Sequence, residues 1–147
     1  MDSRYFFYEL GKLVYKIDGA YSEYAKKEKI SSPNLLWILY ALGDGEEHTQ
    51  KQICDEWEIP RSTANTIIKS LEDDGFIELA HRVGTRREMT IRLTDRGKAY
   101  SDEILNDLYD RERKVFDQLK NPERFLKEME CFTRKLSLLY QDSQANS

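Results

Sequence analysis

Apolar residues recur at helical spacing over residues 4–28, which predicts one long amphipathic helix at the start of the chain. Its stripe consists of Leu10, Leu13, Val14, Ile17, Tyr21 and Tyr24. A second helix is predicted from Ser32-Pro33, because serine caps a helix and proline suits its first position. The LLWILYAL segment that follows is apolar on nearly every side, so it should form the centre of the core.

The middle of the chain changes from helical to alternating patterns. Thr49 and Gln52 match a capping box and predict a short helix over 49–57, which Glu58-Ile59-Pro60 breaks. A fourth helix should follow over 61–73 and end at Gly75. Two short strands, 76–80 and 89–93, then form a hairpin. In the second strand Met89, Ile91 and Leu93 should face inward, and Thr90 and Arg92 outward.

Two more helices complete the pattern. One is capped by Thr94-Asp95 and should reach about residue 118, and the last should begin at Asn121-Pro122. The predicted fold is therefore mainly α (α+β), a winged helix-turn-helix with a two-stranded wing and long N- and C-terminal helices.

The residues ICDEWEIPRSTANTIIKSL supply the helix-turn-helix pattern. Apolar residues should join its two helices: Ile53, Trp57, Ile59, Ile67, Ile68 and Leu71. The residues left facing outward are Arg61, Ser62, Asn65, Thr66 and Lys69. Guanidinium, hydroxyl and amide groups are those that read base edges in the major groove. The alternative is that they form the solvated face of an ordinary core helix.

Local charge favours nucleic acid although the 147-residue chain has a formal net charge of −4. Between His81 and Lys98, six basic residues stand against Glu88 and Asp95. The predicted phosphate contacts are Lys69, His81, Arg82 and Arg96, with Lys98 also near the start of the fifth helix. Phosphate binding depends on such a local patch rather than on the total charge.

The chain resembles the MarR family of winged-helix transcriptional regulators. The resemblance spans nearly its whole length and is most specific at LEDDGFI, over residues 71–77, and at Arg87, Ile91-Arg92-Leu93-Thr94 and Gly97. It implies a homodimer that binds a pseudo-palindromic operator in double-stranded DNA. By occupying that operator the protein would repress, or less often activate, nearby genes. The resemblance also implies base-reading positions at Arg61, Ser62, Thr63, Asn65 and Thr66, and minor-groove contacts from Arg86 and Arg87.

The chain departs from the family pattern at two positions. Thr85 replaces the usual aspartate two residues before the wing arginine, and Thr66 stands where a basic residue is common. The first change removes the usual salt-bridge partner of Arg87, and the second prevents transfer of the family's base preference.

Dimerisation also follows from the apolar pattern. The first, fifth and sixth helices each carry an apolar stripe, and a winged domain of about 60 residues is too small to cover all three. We therefore expect a single MarR-like domain over 1–147. It would comprise a DNA-binding lobe over 33–97 and a helical dimerisation region over 4–28 and 96–141. A monomeric helical bundle is the alternative.

Relatives in this family often bind small aromatic or phenolic ligands between the dimer helices and the DNA-binding lobe. The candidate effector pocket here consists of Tyr15, Tyr24, Trp37 and Tyr40. The alternative is that these aromatic side chains belong to the core, as aromatics at helical spacing usually do.

Other function classes find little support. The chain lacks the His-Glu-x-x-His, GxGxxG, GK[ST] and Gly-x-Ser-x-Gly motifs, so no enzymatic activity, cofactor or metal is expected. Cys54 and Cys131 are expected to be packed thiols, with redox sensing by Cys54 as the alternative. Without an apolar run long enough for a membrane span, the protein is expected to be cytoplasmic. A winged helix used only for protein contacts remains the competing function.

Overall fold

The computed structural model describes the backbone of residues 1–81 and 89–145, with side chains through residue 141. The chain forms two compact units, Met1–Leu108 and Tyr109–Ser147. Within the described residues, every helix is too short or too polar to cross a lipid bilayer.

The elements follow the predicted order. The helices are α1 (Ser3–Lys27), α2 (Pro33–Leu42), α3 (Gln50–Trp57), α4 (Arg61–Asp73), α5 (Asp95–Phe116) and α6 (Pro122–Ala145). The strands are β1 (His48–Thr49), β2 (Ile77–His81) and β3 (Met89–Leu93). The mainly helical, winged helix-turn-helix fold is confirmed, with β1 as an addition that the sequence pattern did not predict.

Local capping chemistry determines where the helices begin. The Ser32 hydroxyl accepts a hydrogen bond from the Leu35 amide, and Pro33 occupies the first turn of α2. At α3, the Gln52 amide donates to Thr49 Oγ1 at 3.1 Å, and the Thr49 amide donates to Gln52 Oε1 at 2.9 Å. Both predicted caps are confirmed. Each leaves fewer unpaired N–H groups at the helix start.

Helix α2 lies at the centre of the core, as predicted. Leu36, Ile38, Leu39 and Leu42 are completely buried. Tyr24 on α1 is also buried, and its hydroxyl donates a 2.6 Å hydrogen bond to the Ile104 carbonyl of α5. Helices α1, α2 and the first part of α5 therefore form one packed body in the first unit.

Strand β3 is the middle strand of a three-stranded antiparallel sheet with the order β1-β3-β2. Thr90 pairs with Thr49 on one side and Ala80 on the other. Its side chain is buried, and its hydroxyl donates to the Ala80 carbonyl at 3.2 Å, whereas Met89 is exposed. The predicted inward Met89 and outward Thr90 are therefore wrong, because Thr90 lies where β3 is flanked by both β1 and β2, an arrangement that a two-stranded hairpin lacks.

The second unit contains the end of α5 and helix α6. Asn121 Oδ1 accepts a 2.9 Å hydrogen bond from the Arg124 amide at the start of α6. Large apolar side chains along this unit remain exposed: Val115, Phe116, Leu119, Phe125, Leu126, Leu138, Leu139 and Tyr140.

Candidate nucleic-acid interface

Helices α3 and α4 form a helix-turn-helix around a left-handed residue. Glu58 has φ +51°, and the Ile59 amide after it donates to the Cys54 carbonyl at 3.1 Å. Ile59 is buried and Pro60 follows as the residue before α4. The turn therefore joins the two helices through only three residues and fixes where α4 begins.

One face of α4 packs against the core. Ala64, Ile68 and Leu71 are buried at helical spacing, as are Ile53 and Cys54 on α3. Trp57 and Ile67, predicted to join the helices, are only half-buried. Ala64, which the sequence reasoning missed, is completely buried. The small alanine side chain fits this buried position beside the turn.

The predicted base-reading residues lie on the part of α4 outside this buried stripe. Arg61, Ser62, Asn65 and Thr66 are exposed, as is Lys69 one turn further along, whereas Thr63 is half-buried. The Thr66 hydroxyl donates to the Ser62 carbonyl at 3.1 Å, so its oxygen is left as an acceptor. The exposed side chains of α4 are therefore polar, and those of Ser62, Asn65 and Thr66 are small enough for the helix to approach a groove.

Asn65 has a partner that the sequence reasoning did not identify. Gln50 is the first residue of α3, and its Nε2 donates a hydrogen bond to Asn65 Oδ1. Gln50 precedes Asn65 by 15 positions, so helical periodicity gave no signal of this contact.

The end of α4 is joined to the base of the wing. The Phe76 amide donates to the Leu71 carbonyl at 2.8 Å and the Gly75 amide to the Glu72 carbonyl at 2.9 Å, the pair of bonds of a Schellman motif. Gly75 takes the φ of +74° that this motif requires. Thr94 Oγ1 donates to the Gly75 carbonyl at 2.7 Å and accepts from the Gly97 amide at 3.0 Å.

An aromatic stack lies beside this junction. Phe76 and Tyr100 are parallel with ring centroids 4.2 Å apart, and the Arg96 guanidinium lies 5.1 Å from the Phe76 centroid. Burial raises the pKa of Tyr100, and the nearby charges of Asp74 and Glu103 add to the effect. Arg96 is exposed and positioned by this contact, near the first turn of α5.

Acidic partners reduce the basic excess of the wing region. Arg92 forms an ion pair with Glu78, its cross-strand neighbour, and Lys98 lies 3.4 Å from Asp102. His81 is exposed at the end of β2. The predicted contacts Arg82, Arg86 and Arg87 lie outside the described residues.

The structure places the four candidate effector residues in different surroundings. Trp37 and Tyr40 are neighbours, with ring centroids 6.1 Å apart. Tyr15 is 79% exposed on α1, and Tyr24 is buried with its hydroxyl bonded to Ile104. Two further aromatic side chains, which were not among the candidate pocket residues, lie beside Trp37. Trp57 stacks on Trp37 with ring centroids 5.1 Å apart, and the Tyr21 centroid lies 4.6 Å from that of Trp37.

The thiol of Cys54 is packed, as the sequence pattern predicts. It is buried, and burial raises its pKa, an effect that Arg61 opposes and Asp55 reinforces. A thiol with a raised pKa is less often ionised and so less reactive. Among the described residues, no group of three His, Cys, Asp or Glu side chains could hold a metal ion.

A protein-family model matches the segment that contains the helix-turn-helix. Residues 32–88, which contain α2 through β2, match the model of the MarR family. The match covers less than half of the 147-residue chain, and over these residues the chain is similar to the MarR family. Members of this family are transcriptional regulators rather than enzymes. Among curated proteins, none matches the chain at a significant level.

Solved structures extend the likeness of fold beyond that segment. The MarR family regulator NMB1585 from Neisseria meningitidis aligns with a TM-score of 0.80 at 23% identity, covering 92% of this chain and 96% of that one. BpsR from Bordetella bronchiseptica, whose DNA binding is regulated by 6-hydroxynicotinic acid, aligns with a TM-score of 0.62 at 20% identity, covering 88% and 98%. Overoxidised AbfR, from Staphylococcus epidermidis and bound to DNA, aligns with a TM-score of 0.64 at 19% identity, covering 90% and 95%.

Proposed function

We propose that this chain is a MarR family regulator that binds double-stranded operator DNA through the exposed face of α4 and acts as a repressor. The observation that carries the proposal is the composition of that face. Arg61, Ser62, Asn65 and Thr66 are exposed together on the second helix of a helix-turn-helix, beside the stripe of buried Ala64 and Ile68. Such groups match the donors and acceptors of base edges in the major groove.

Different residues would determine affinity and sequence preference. Lys69 on α4 and Arg96 on α5 are exposed cations, and they would bind phosphates at any sequence. Asn65, Ser62 and Arg61 would contact base edges. Arg86 and Arg87, from the sequence pattern, would enter a narrow minor groove, which attracts arginine.

A homodimer belongs to the proposal because a single copy leaves large apolar side chains in water. Tyr8, Leu13 and Ile17 on α1 are more than half exposed, as are Phe125 and Leu139 on α6. Exposed apolar area of this extent marks an interaction surface in a soluble protein. A two-fold pair would present two copies of α4, which reach successive major grooves when they are roughly 34 Å apart.

The proposal includes a small aromatic effector that binds among a group of aromatic side chains. Its support is the half-buried aromatic group of Tyr21, Trp37, Tyr40 and Trp57, in which Trp37 on α2 stacks on Trp57 at the end of α3. BpsR, a structural neighbour, responds to an aromatic acid. A ligand among these rings could shift α3 and, through it, α4.

DNA binding is tested by fluorescence anisotropy with duplexes enriched by the wild-type protein from a random pool. We expect Asn65→Ala to lose about 1–3 kcal/mol of discrimination at one base-pair position and to leave other positions unchanged. Lys69→Ala should instead weaken binding to all duplexes and reduce the salt slope by about one unit.

Adding aromatic acids or phenols to the wild-type complex tests for an effector, which would release the DNA.

Asn65→Ala and Lys69→Ala together distinguish base reading from phosphate binding. Equal weakening of every duplex by Asn65→Ala would contradict base reading by α4. No enrichment of any duplex by the wild-type protein, even at low salt, would instead favour a winged helix that contacts other proteins.

A further inference from the structure

We propose that Gln50 determines which base Asn65 reads, by holding the Asn65 amide in one orientation. Gln50 would be a positioning residue on the first helix of the motif. The inference rests on the proposed DNA binding by α4 and assigns a source of its sequence preference. The contact that carries it is the hydrogen bond from Gln50 Nε2 to Asn65 Oδ1.

Gln50 is available for this contact because its neighbours Thr49 and Gln52 already form the capping hydrogen bonds at the start of α3. Lys51 forms an ion pair with Asp55 on the same helix. Gln50 is half-buried beside them, and it alone of these four residues is bonded to α4 among the contacts of the described chain.

The direction of the hydrogen bond has a chemical consequence. A primary amide has one acceptor oxygen and one nitrogen with two donors. With Oδ1 turned toward Gln50, Nδ2 would be the group that Asn65 offers as a donor to a base approaching α4. A donor matches the acceptors of the major groove, which are guanine O6 and N7, adenine N7 and thymine O4. It does not match the amino groups of cytosine and adenine.

An unrestrained asparagine would discriminate less sharply. The amide can turn about its terminal bond and exchange donor for acceptor, since this torsion is broad and roughly two-fold. The bond to Gln50 disfavours the alternative and reduces its entropy cost, because reversing Asn65 would require the Gln50 amide to turn as well. Gln50 therefore favours an acceptor-bearing base edge opposite Asn65 without itself contacting a base.

The test compares base preferences selected from one pool of duplexes with a random central sequence. The proteins are wild type, Gln50→Met, Gln50→Glu, Asn65→Ala and Lys51→Gln, each checked for the wild-type circular dichroism spectrum. Gln50→Met keeps the size of the side chain and removes the hydrogen bond. We expect it to reduce the preference at the Asn65 position by about two- to tenfold, the effect of one ordinary hydrogen bond.

Gln50→Glu is the decisive variant. Its carboxylate can only accept a hydrogen bond, so it would bind Nδ2 of Asn65 and turn Oδ1 outward. The preference at that position should then move toward adenine or cytosine, whose amino groups donate. Lys51→Gln lowers the net charge by the same one unit at the neighbouring residue, and should weaken all duplexes without changing the preferred bases.

Each outcome decides the proposal. A changed preference at the position that Asn65→Ala affects, and at no other, supports it. An unchanged preference in both Gln50 variants overturns it while leaving DNA binding by α4 intact. A change at a different position also overturns it, because Gln50 would then contact a base directly. If the wild-type protein enriches no sequence, the proposed function and this inference fail together.

Discussion

Gly97 lies where the first turn of α5 passes against the chain at Phe76. A Cβ on Gly97 would lie 1.7 Å from the Phe76 carbonyl oxygen and 2.6 Å from its carbonyl carbon. Both are backbone atoms, so no rotamer change can relieve the clash. We expect Gly97→Ala to lower the free energy of unfolding by about 1–3 kcal/mol or more, as overpacking does, measured by urea denaturation.

Gly19 provides the matched control. It also lies in a helix, but a Cβ there would meet no atom within 4 Å. Gly19→Ala should therefore raise the free energy of unfolding by about 0.5–1 kcal/mol, the difference in helix propensity. Wild-type stability in Gly97→Ala would show that the backbone can separate here without cost, contrary to the expectation.

Residue-level features were predictable where their partners are close in sequence. Ser32, Thr49 and Gln52 were identified as caps because each bonds to an amide three residues away. Gln50 and Asn65 are 15 positions apart, and Phe76 and Gly97 are brought together by the sheet between them. Such contacts depend on how α3, α4 and β3 pack, so the pattern of one segment contains no sign of them.

At the scale of elements, strand β1 and the loop before it were the part that periodicity missed. Two residues are too few to show alternation, and β1 exists because His48 and Thr49 pair with Ile91 and Thr90 of β3. The long helices α1, α4, α5 and α6 were predicted nearly to their ends because each repeats its apolar stripe over several turns.

The loop before β1 is held by Asp44. Its carboxylate oxygens lie 2.9 Å from His48 Nε2, and Oδ1 accepts a 2.9 Å hydrogen bond from the Glu46 amide. Burial alone would raise the pKa of Asp44, but the hydrogen bonds from His48 and Glu46 outweigh it and lower the pKa. The ionised carboxylate therefore favours the folded state.

This lowered pKa predicts a pH-dependent stability difference between wild type and Asp44→Asn. The carboxylate contributes fully above the unfolded pKa of about 4, and its contribution is lost as the pH falls through the lower folded pKa. Asp44→Asn should be less stable than wild type near neutral pH, and the difference should shrink below about pH 4. Urea denaturation at several pH values measures both.

Glu47→Gln is the control for this comparison, because it removes a carboxylate from an exposed residue of the same loop. It should leave the pH dependence of unfolding close to that of the wild type. A difference between Asp44→Asn and wild type that stays constant down to about pH 2 would show that the Asp44 charge is not responsible.

For the whole molecule, the distribution of exposed apolar residues agrees with what the sequence pattern led us to expect. Apolar stripes on α1, α5 and α6 were too many for one small core, and Leu13, Val115 and Leu139 are more than half exposed. The pattern could indicate that these faces need a partner. It could not indicate how two copies pair, because that depends on the shape of surfaces rather than on their periodicity.

The proposed dimer predicts that charge on the apolar face of α6 separates the copies. Phe125 and Leu139 are 60% and 68% exposed in the single chain, so glutamate at either position should leave its fold intact. We expect Phe125→Glu and Leu139→Glu to convert a dimer to a monomer in sedimentation equilibrium, because pairing would bury an uncompensated charge. DNA affinity should fall with it, since one copy of α4 reaches only one half-site. Arg134→Glu, exposed on the polar side of α6, should remain dimeric. If all three variants sediment as the wild type does, the apolar face of α6 is not the dimer interface, and the uncovered stripe of α1 would have to provide it instead.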